Sequence, residues 1–214
     1  IQVDELAVEY SSPLADRAVG ELALAADPAP PGGVVLVPAG VETTFVHDIR
    51  AEFDAASREG FRGVRLVSFP PPEFVRLEMG TPLAAVDPDS VVAAADGFTV
   101  YFPEVTQRRN VPLRITYTNA LLEYTTVLGS WLIGARGGLP QPVAAGNASG
   151  QIQTRTLQAR ALRSQPDVSL RLSTPVLTPN GDGVNDAVGL SYLLSQFAGD
   201  VRVRLEVCDL RGRR

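Results

Sequence analysis

Lysine is absent from the chain, and histidine, cysteine, methionine and tryptophan each occur once. The single cysteine, Cys208, excludes a disulfide bond within the chain, and its place in a predicted strand indicates a packing residue. The single histidine, His47, has no second histidine with which to form a zinc site. Its neighbours at two-residue spacing are apolar, so we expect His47 in the core or at a sheet edge.

Basic charge is scarce as well. All 19 basic residues are arginine, and 24 acidic residues give a net charge of −5. The two arginine clusters, at 108–109 and 211–214, fall at the ends of predicted strands, where solvated turns are expected. Since a protein that binds nucleic acid usually presents a basic face, we expect no nucleic-acid partner.

Long hydrophobic runs are missing too. The most apolar window, residues 121–133, contains Glu123 and several other polar residues, and it is too short to span a bilayer. We therefore expect no transmembrane segment. The chain begins with Ile1 rather than methionine, so either a leader has been removed or the numbering starts inside a longer protein.

The residues that are present indicate a globular protein made of short strands. Hydrophobic residues make up 45% and charged residues 20% of the chain, with 19 glycines and 17 prolines. Apolar and polar residues alternate with period two at 45–53, 98–102 and 113–118, as in strands with one buried face. Further candidate strands, separated by proline and glycine turns, are 3–10, 20–26, 33–37, 63–69, 74–79, 124–133 and 151–161. Two short stretches, 55–60 and 90–95, have a weak helical pattern.

The fold class predicted from this pattern is all-β, with an Ig-like antiparallel β-sandwich followed by a partial second Ig-like unit. We place the large sandwich at residues 1–162, a polar linker at 163–167 and the partial unit at 168–214. Two strands cannot bury both faces of a sheet. Either more chain follows the second unit in the native protein, or its edge pairs with another element or partner.

The second unit contains a polar turn motif, TPNGDGVND, at residues 178–186. Glycines and oxygen-bearing side chains alternate through it, which is typical of a tight turn. An alternating strand follows, with four apolar residues on one face: Val188, Leu190, Tyr192 and Leu194.

Residues 176–214 resemble the start of the Ig-like domain of flagellar hook-capping proteins, and of gliding-motility and type IX sorting C-terminal modules. The matching residues are PNGDG at 179–183, ND at 185–186, YL at 192–193 and the predicted strand and turn at 203–213. The resemblance implies a non-catalytic β-sandwich of an exported bacterial protein, located in the periplasm or outside the cell. Residues 1–162 show no such resemblance.

The turn motif suggests one cofactor hypothesis, a weak calcium site at Asn180, Asp182 and Asp186, because calcium prefers clustered oxygens. Aligned on an EF-hand-like loop, however, the first and last ligand positions fall on a threonine and a glycine. The alternative is that Asp182, Asn185 and Asp186 bind backbone amides while the glycines adopt positive φ.

Catalytic chemistry has little support in the sequence. Asp87, Asp89 and Asp96 could act as paired carboxylates of a glycosidase, but they lie in a turn-rich stretch where aspartate is ordinary. No nucleophile-elbow sequence accompanies the serines and aspartates. We therefore expect no enzymatic activity.

The function that the sequence favours is that of a non-enzymatic extracytoplasmic structural or protein-binding component. It would be an accessory subunit docked on a larger envelope assembly, including a membrane-protein complex, or a module of a surface protein. Other envelope or surface proteins would be its partners. The expected docking surfaces are the open edge after Asp209 and the proline-rich loops at 28–33, 70–72 and 137–142.

The alternative is a carbohydrate-binding module of a secreted protein. Its sugar-binding face would use aromatic residues among Tyr101, Tyr117, Tyr124 and Trp131. Of these, Tyr101 shares its strand face with polar Thr99 and is expected to be exposed, whereas Trp131 is expected in the core.

Overall fold

The computed structural model describes residues 12–54, 58–162, 167–174, 176–195 and 202–204. The chain divides into two compact units, Ile1–Leu162 and Arg163–Arg214. In the described part of the chain, no helix has the length and hydropathy of a membrane span. The predicted strand at 3–10 and, apart from residues 203 and 204, the predicted strand and turn at 203–213 lie outside the described residues, as does Cys208.

The first unit contains fourteen strands in the part that the structure describes. Its six-stranded sheet has the order β13-β1-β3-β9-β5-β6. The bounds are β1 Arg17–Leu24, β3 Thr43–Glu52, β5 Glu73–Met79, β6 Ala84–Val86, β9 Leu113–Asn119 and β13 Ala144–Ala145. All pairs in this sheet are antiparallel except β1 with β13.

A five-stranded antiparallel sheet has the order β12-β11-β4-β8-β7, and a three-stranded sheet the order β10-β14-β2. The bounds of the former are β4 Phe61–Val67, β7 Ser90–Ala94, β8 Gly97–Val105, β11 Gly129–Ile133 and β12 Gln141–Pro142. Those of the latter are β2 Val35–Pro38, β10 Thr126–Val127 and β14 Gln158–Leu162. One 3-10 turn, Pro31–Gly33, precedes β2.

The core lies between the inner faces of the six- and five-stranded sheets. Phe74 of β5 and Phe98 of β8 meet edge to face, with ring centroids 5.6 Å apart. Within the six-stranded sheet, Phe45 stacks on its cross-strand neighbour Tyr117, with centroids 5.3 Å apart. Buried side chains from both sheets form one continuous cluster. The predicted all-β Ig-like sandwich is therefore confirmed.

His47 connects the two sheets through the core. It points inward from β3 and is fully buried. Its Nδ1 lies 3.1 Å from the Glu21 carbonyl oxygen, and its Nε2 lies 3.0 Å from Ser130 Oγ on β11. Because a carbonyl only accepts, Nδ1 carries the proton and Ser130 donates to Nε2. A Cβ at Gly20 would lie 2.6 Å from the imidazole Cε1, so the ring requires glycine there.

Glu21 holds a long loop over the outer face of the six-stranded sheet. Its buried carboxylate accepts backbone N–H bonds from Ala148, Ser149 and Arg155, at 2.8, 2.9 and 3.0 Å. Arg155 has a positive φ of 53°, which is uncommon for a residue with a side chain. Residues 151–157, predicted as part of a strand, are therefore loop, and only Gln158–Leu162 is a strand.

The weak helical pattern at 90–95 is a wrong prediction. Ser90–Ala94 form β7, which pairs with β8 from Ser90 opposite Tyr101 to Ala94 opposite Gly97. The β-branched pair Val91 and Val92 favours a strand, and pairing with β8 overrides the helix propensity of the alanines. Of the other weak helix, residues 55–57 lie outside the described part.

The second unit is described mainly as a hairpin of β15 Asp167–Leu172 and β16 Leu190–Ser195. Leu170 pairs with Tyr192, and Leu172 with Leu190, so apolar side chains share one face. Leu170 and Tyr192 are exposed. Residues 202–204 carry no strand, and Val203 is exposed.

We expect the first unit to become less stable as the pH is lowered, because His47 titrates. Burial lowers the pKa of His47 from 6.5 to about 4. Between these pH values the unfolded chain binds a proton that the folded protein does not, so the free energy of unfolding decreases by about 3 kcal/mol from pH 6.5 to pH 4. Urea denaturation across this range measures the decrease.

The matched control is His47→Gln, which cannot titrate and reports the contribution of the carboxylates alone. A second variant, His47→Asn, serves if the glutamine does not fit the site. An equal pH dependence in the wild type and the folded variant would contradict the assignment to His47.

Candidate functional site

The five-stranded sheet ends in an exposed, uncharged strand. All five residues of β7, Ser90–Ala94, are exposed. Strand β8 occupies one side of β7, and no strand in the described residues pairs with the other side. Its backbone N–H and C=O groups on that side are therefore available for pairing with an extended segment of another chain.

Ion pairs flank β7 at both ends. Asp89, just before the strand, lies 3.4 Å from Arg62, and Asp96, just after it, lies 2.8 Å from Arg65. The two aspartates next to the strand ends are therefore each neutralised by an arginine. These pairs also account for two of the three carboxylates considered for a glycosidase, since Asp89 and Asp96 each have an arginine partner.

Adjacent to this edge, the outer face of the five-stranded sheet is formed by rows of opposed side chains. One row crosses the sheet from Trp131 through Arg65 and Thr99 to Val92. The next row crosses from Ile133 through Gly63 and Tyr101 to Ser90.

Both aromatic rings on this face lie over glycines. A Cβ at Gly63 would lie 3.0 Å from Cδ1 of the Tyr101 ring. A Cβ at Gly129 would lie 2.5 Å from Cη2 of the Trp131 ring. The rings fill the space that side chains at these positions would occupy, and both aromatic residues are half-buried.

Trp131 is therefore not in the core, contrary to the expectation from sequence. Its neighbours Ser130 and Leu132 are buried and face inward, so the alternation of β11 places Trp131 outward. Tyr101 is half-buried rather than fully exposed.

The other two aromatic candidates lie elsewhere. Tyr117 is in the core, where burial raises the pKa of its hydroxyl. Tyr124 is exposed in the segment before β10. The four aromatic side chains therefore do not share one face.

A cavity of about 590 Å³ lies on the other sheet, between the Glu21-anchored loop and the β5–β6 turn. Three carboxylates line it: Asp48 binds the Arg114 guanidinium at 2.6 and 2.7 Å, Glu52 binds Arg50 at 2.8 Å, and Asp54 is exposed. Carboxylates paired in this way with arginine are poorly suited to act as general acids or bases.

The proline-rich loops belong to three different connections, β1–β2, β4–β5 and β11–β12. Each is tied to the sandwich. The Pro28 and Pro70 carbonyls accept bonds from Gln153 N–H and from the Asn119 side chain, and Gln141 binds both backbone groups of Ala15. The edge predicted after Asp209 lies outside the described residues.

The turn motif brings the three predicted calcium ligands together. The Asp186 carboxylate accepts N–H bonds from Asn180, Gly181 and Gly183 at 2.9, 2.8 and 2.7 Å. Asp182 accepts bonds from the Val184 N–H and the Asn180 side chain. The Gly181 and Gly183 amides lower the pKa of Asp186, and the Val184 amide lowers that of Asp182.

The turn requires residues that tolerate a left-handed backbone. Gly181 and Gly183 each have φ of 81°, and Asn185 has φ of 56°. Asn185 contributes its carbonyl, which accepts a bond from the Thr178 N–H at 2.9 Å. The motif is therefore a self-contained turn whose acidic side chains hold its own amides.

No protein-family model matches the chain, and comparison with curated protein sequences gives no match. Among solved structures, the chain is similar to the pilus backbone RrgB from Streptococcus pneumoniae, with 12% identity and a TM-score of 0.40 over 61% of this chain and 34% of that one. A structure of the full-length major pilin RrgB gives the same identity and TM-score over 61% and 25%. Another full-length RrgB structure gives a TM-score of 0.35 over 75% and 38%.

The match thus spans well under half of each pilin chain. At this similarity the comparison transfers no function. The resemblance of residues 176–214 to hook-capping and type IX sorting modules is not tested by these comparisons and stays a prediction.

We expect Asp186→Asn to loosen the turn. The asparagine side chain has one accepting oxygen in place of two, so the bonds from Gly181 and Gly183 cannot both persist. Faster hydrogen exchange at the Gly181 or Gly183 amide, followed by NMR, checks this. Ser191→Asn, in the exposed part of β16, is the control and should leave both rates unchanged.

The calcium hypothesis has its own test. The carboxylate oxygens already accept amides, and their remaining lone pairs support weak binding only. We expect heat on titration of the wild type with millimolar calcium chloride and none with Asp186→Asn. A wild type that produces no heat removes the hypothesis.

Proposed function

We propose that the protein is a non-enzymatic, extracytoplasmic structural component that binds another protein through the free edge of β7. The observation that carries the proposal is the combination of exposure, absent charge and unpaired backbone along Ser90–Ala94. Natural edge strands are usually protected by charged residues, proline or a covering element. Val91 and Val92 instead have the β-branched side chains that favour strand pairing.

The partner supplies an extended segment that adds to the sheet as a sixth strand next to β7. Main-chain hydrogen bonds provide affinity in this mode, and alternate side chains provide specificity. The balanced ion pairs at the two ends of β7 favour a partner strand without a large net charge.

The location outside the cytoplasm rests on the sequence resemblance of residues 176–214 to modules of exported proteins. The absence of catalytic activity is supported by the pairing of two of the three pocket carboxylates, Asp48 and Glu52, with arginine. The buried His47 has no free carboxylate partner among its hydrogen bonds.

We expect Val92→Lys to weaken partner binding at least tenfold, because an added strand would place the ammonium group beside its own side chains and desolvate it. Immobilised wild type and variant are incubated with an envelope extract of the source cells, and the retained proteins are quantified. Val41→Lys is the matched control, since Val41 is 52% exposed and Val92 53%, and Val41 lies outside any strand.

Thermal melts of both variants establish that each remains folded. Equal retention by wild type and Val92→Lys would overturn the proposal, as would a wild type that retains no envelope protein. Loss of retention in Val41→Lys would show that the effect is general to surface charge.

A further inference from the structure

We propose that the outer face of the five-stranded sheet is a binding surface for a neutral polysaccharide, with Trp131 and Tyr101 as stacking platforms. This inference does not depend on the docking of β7. It starts from two partly exposed aromatic rings that contact glycine positions on the same sheet face.

The geometry of the rings suits pyranose sugars. A pyranose ring has one flat face of C–H groups, which packs against an aromatic face much as another apolar ring would. Tyr101 contacts the Gly63 position and Trp131 the Gly129 position, and both side chains are partly exposed on the outer face of the sheet. Trp131 on β11 and Tyr101 on β8 have one strand, β4, between them and are offset by two residues along the strands, or about 12 Å between Cα atoms, so a run of sugar units is needed to reach both.

Hydrogen-bonding groups lie beside the rings. Arg65 stands next to Trp131 in the same row, its side chain is 44% exposed, and it is held by Asp96 at 2.8 Å. Arg62 and Asp89 form a second exposed pair at the end of the Tyr101 row. Guanidinium and carboxylate groups fixed in this way can donate to and accept from neighbouring hydroxyls of one sugar.

The charge of the face determines the class of polysaccharide. Arg62 and Arg65 each have an aspartate partner and β8 also exposes Glu104, so the face offers no excess of positive charge. A uronic-acid polymer would bring unmatched carboxylates next to Asp89 and Asp96, whereas a neutral polymer leaves both pairs intact.

The test uses the fact that Trp131 is the one tryptophan of the chain. The full chain is titrated with cellohexaose, chitohexaose, laminarihexaose and mannohexaose while tryptophan fluorescence is followed. We expect a saturable change with at least one hexaose, and protection of the fluorescence from iodide quenching by the same sugar. Retention on the corresponding insoluble polysaccharide is measured in parallel.

The variants distinguish stacking from general effects. We expect Tyr101→Ala and Trp131→Ala to reduce retention on the polysaccharide at least tenfold, and Arg65→Ala to reduce it severalfold. Tyr124→Ala, which removes an exposed tyrosine from another part of the surface, should retain wild-type binding. If either aromatic variant fails to fold, Arg65→Ala carries the test, because its exposed side chain contributes little to the core.

No fluorescence change with any of the four hexaoses would overturn the proposal. It would equally be overturned by folded Tyr101→Ala and Arg65→Ala variants that bind as the wild type, or by stronger retention on polygalacturonate than on the neutral polymers.

Discussion

The inward side chains of two packed sheets are the constraint on which the rest of the structure depends. Buried residues of the six- and five-stranded sheets form one cluster, and the His47–Ser130 hydrogen bond joins β3 to β11 through it. Since successive strand residues alternate between faces, this core decides which residues of the five-stranded sheet point outward. Trp131 and Tyr101 reach the surface because Leu132 and Val100 are committed to the interior.

Buried carboxylates of the six-stranded sheet then determine where the loop that covers this sheet lies. Glu21 lies on the outer side of β1 and is fully buried, which is tolerated only because three amides of the 148–155 loop point at it. Asp48, in the neighbouring strand and opposite Glu21, is satisfied differently, by the guanidinium of Arg114. The loop covers the six-stranded sheet as a consequence, while the outer face of the five-stranded sheet keeps exposed side chains.

Period-two alternation in the sequence was enough to predict the all-β sandwich, and it located β3, β8 and β9 closely. The alternation could not predict which face of a strand is buried where both faces are partly apolar. Strand β11 has Leu132 on one face and Trp131 with Ile133 on the other, and its pairing with β4 in the folded sheet places Leu132 inward. The stretch Ser90–Ala94 has a weak helical pattern because alanine favours helices. It forms a strand because it pairs with β8, and the helix propensities of single residues do not include this pairing. The residues of the turn motif were found together from sequence because their bonds are local, within seven residues of one another.

The five-stranded sheet combines two features that usually weaken a sheet, glycines within its strands and an unprotected edge. Glycine in a strand lacks a side chain to pack and costs backbone entropy, and here Tyr101 and Trp131 restore contact by lying over Gly63 and Gly129. An aromatic residue that served only this purpose would need no ordered polar neighbour. The Arg65 side chain, which Asp96 holds beside Trp131, therefore favours a binding role of the rings over a purely structural one. It adds little to the packing of the rings against glycine, whereas a ligand rich in hydroxyl groups needs such a hydrogen-bonding partner. The edge of β7 differs in kind, since backbone groups rather than side chains would make its contacts, so the two proposed binding modes rest on independent chemistry.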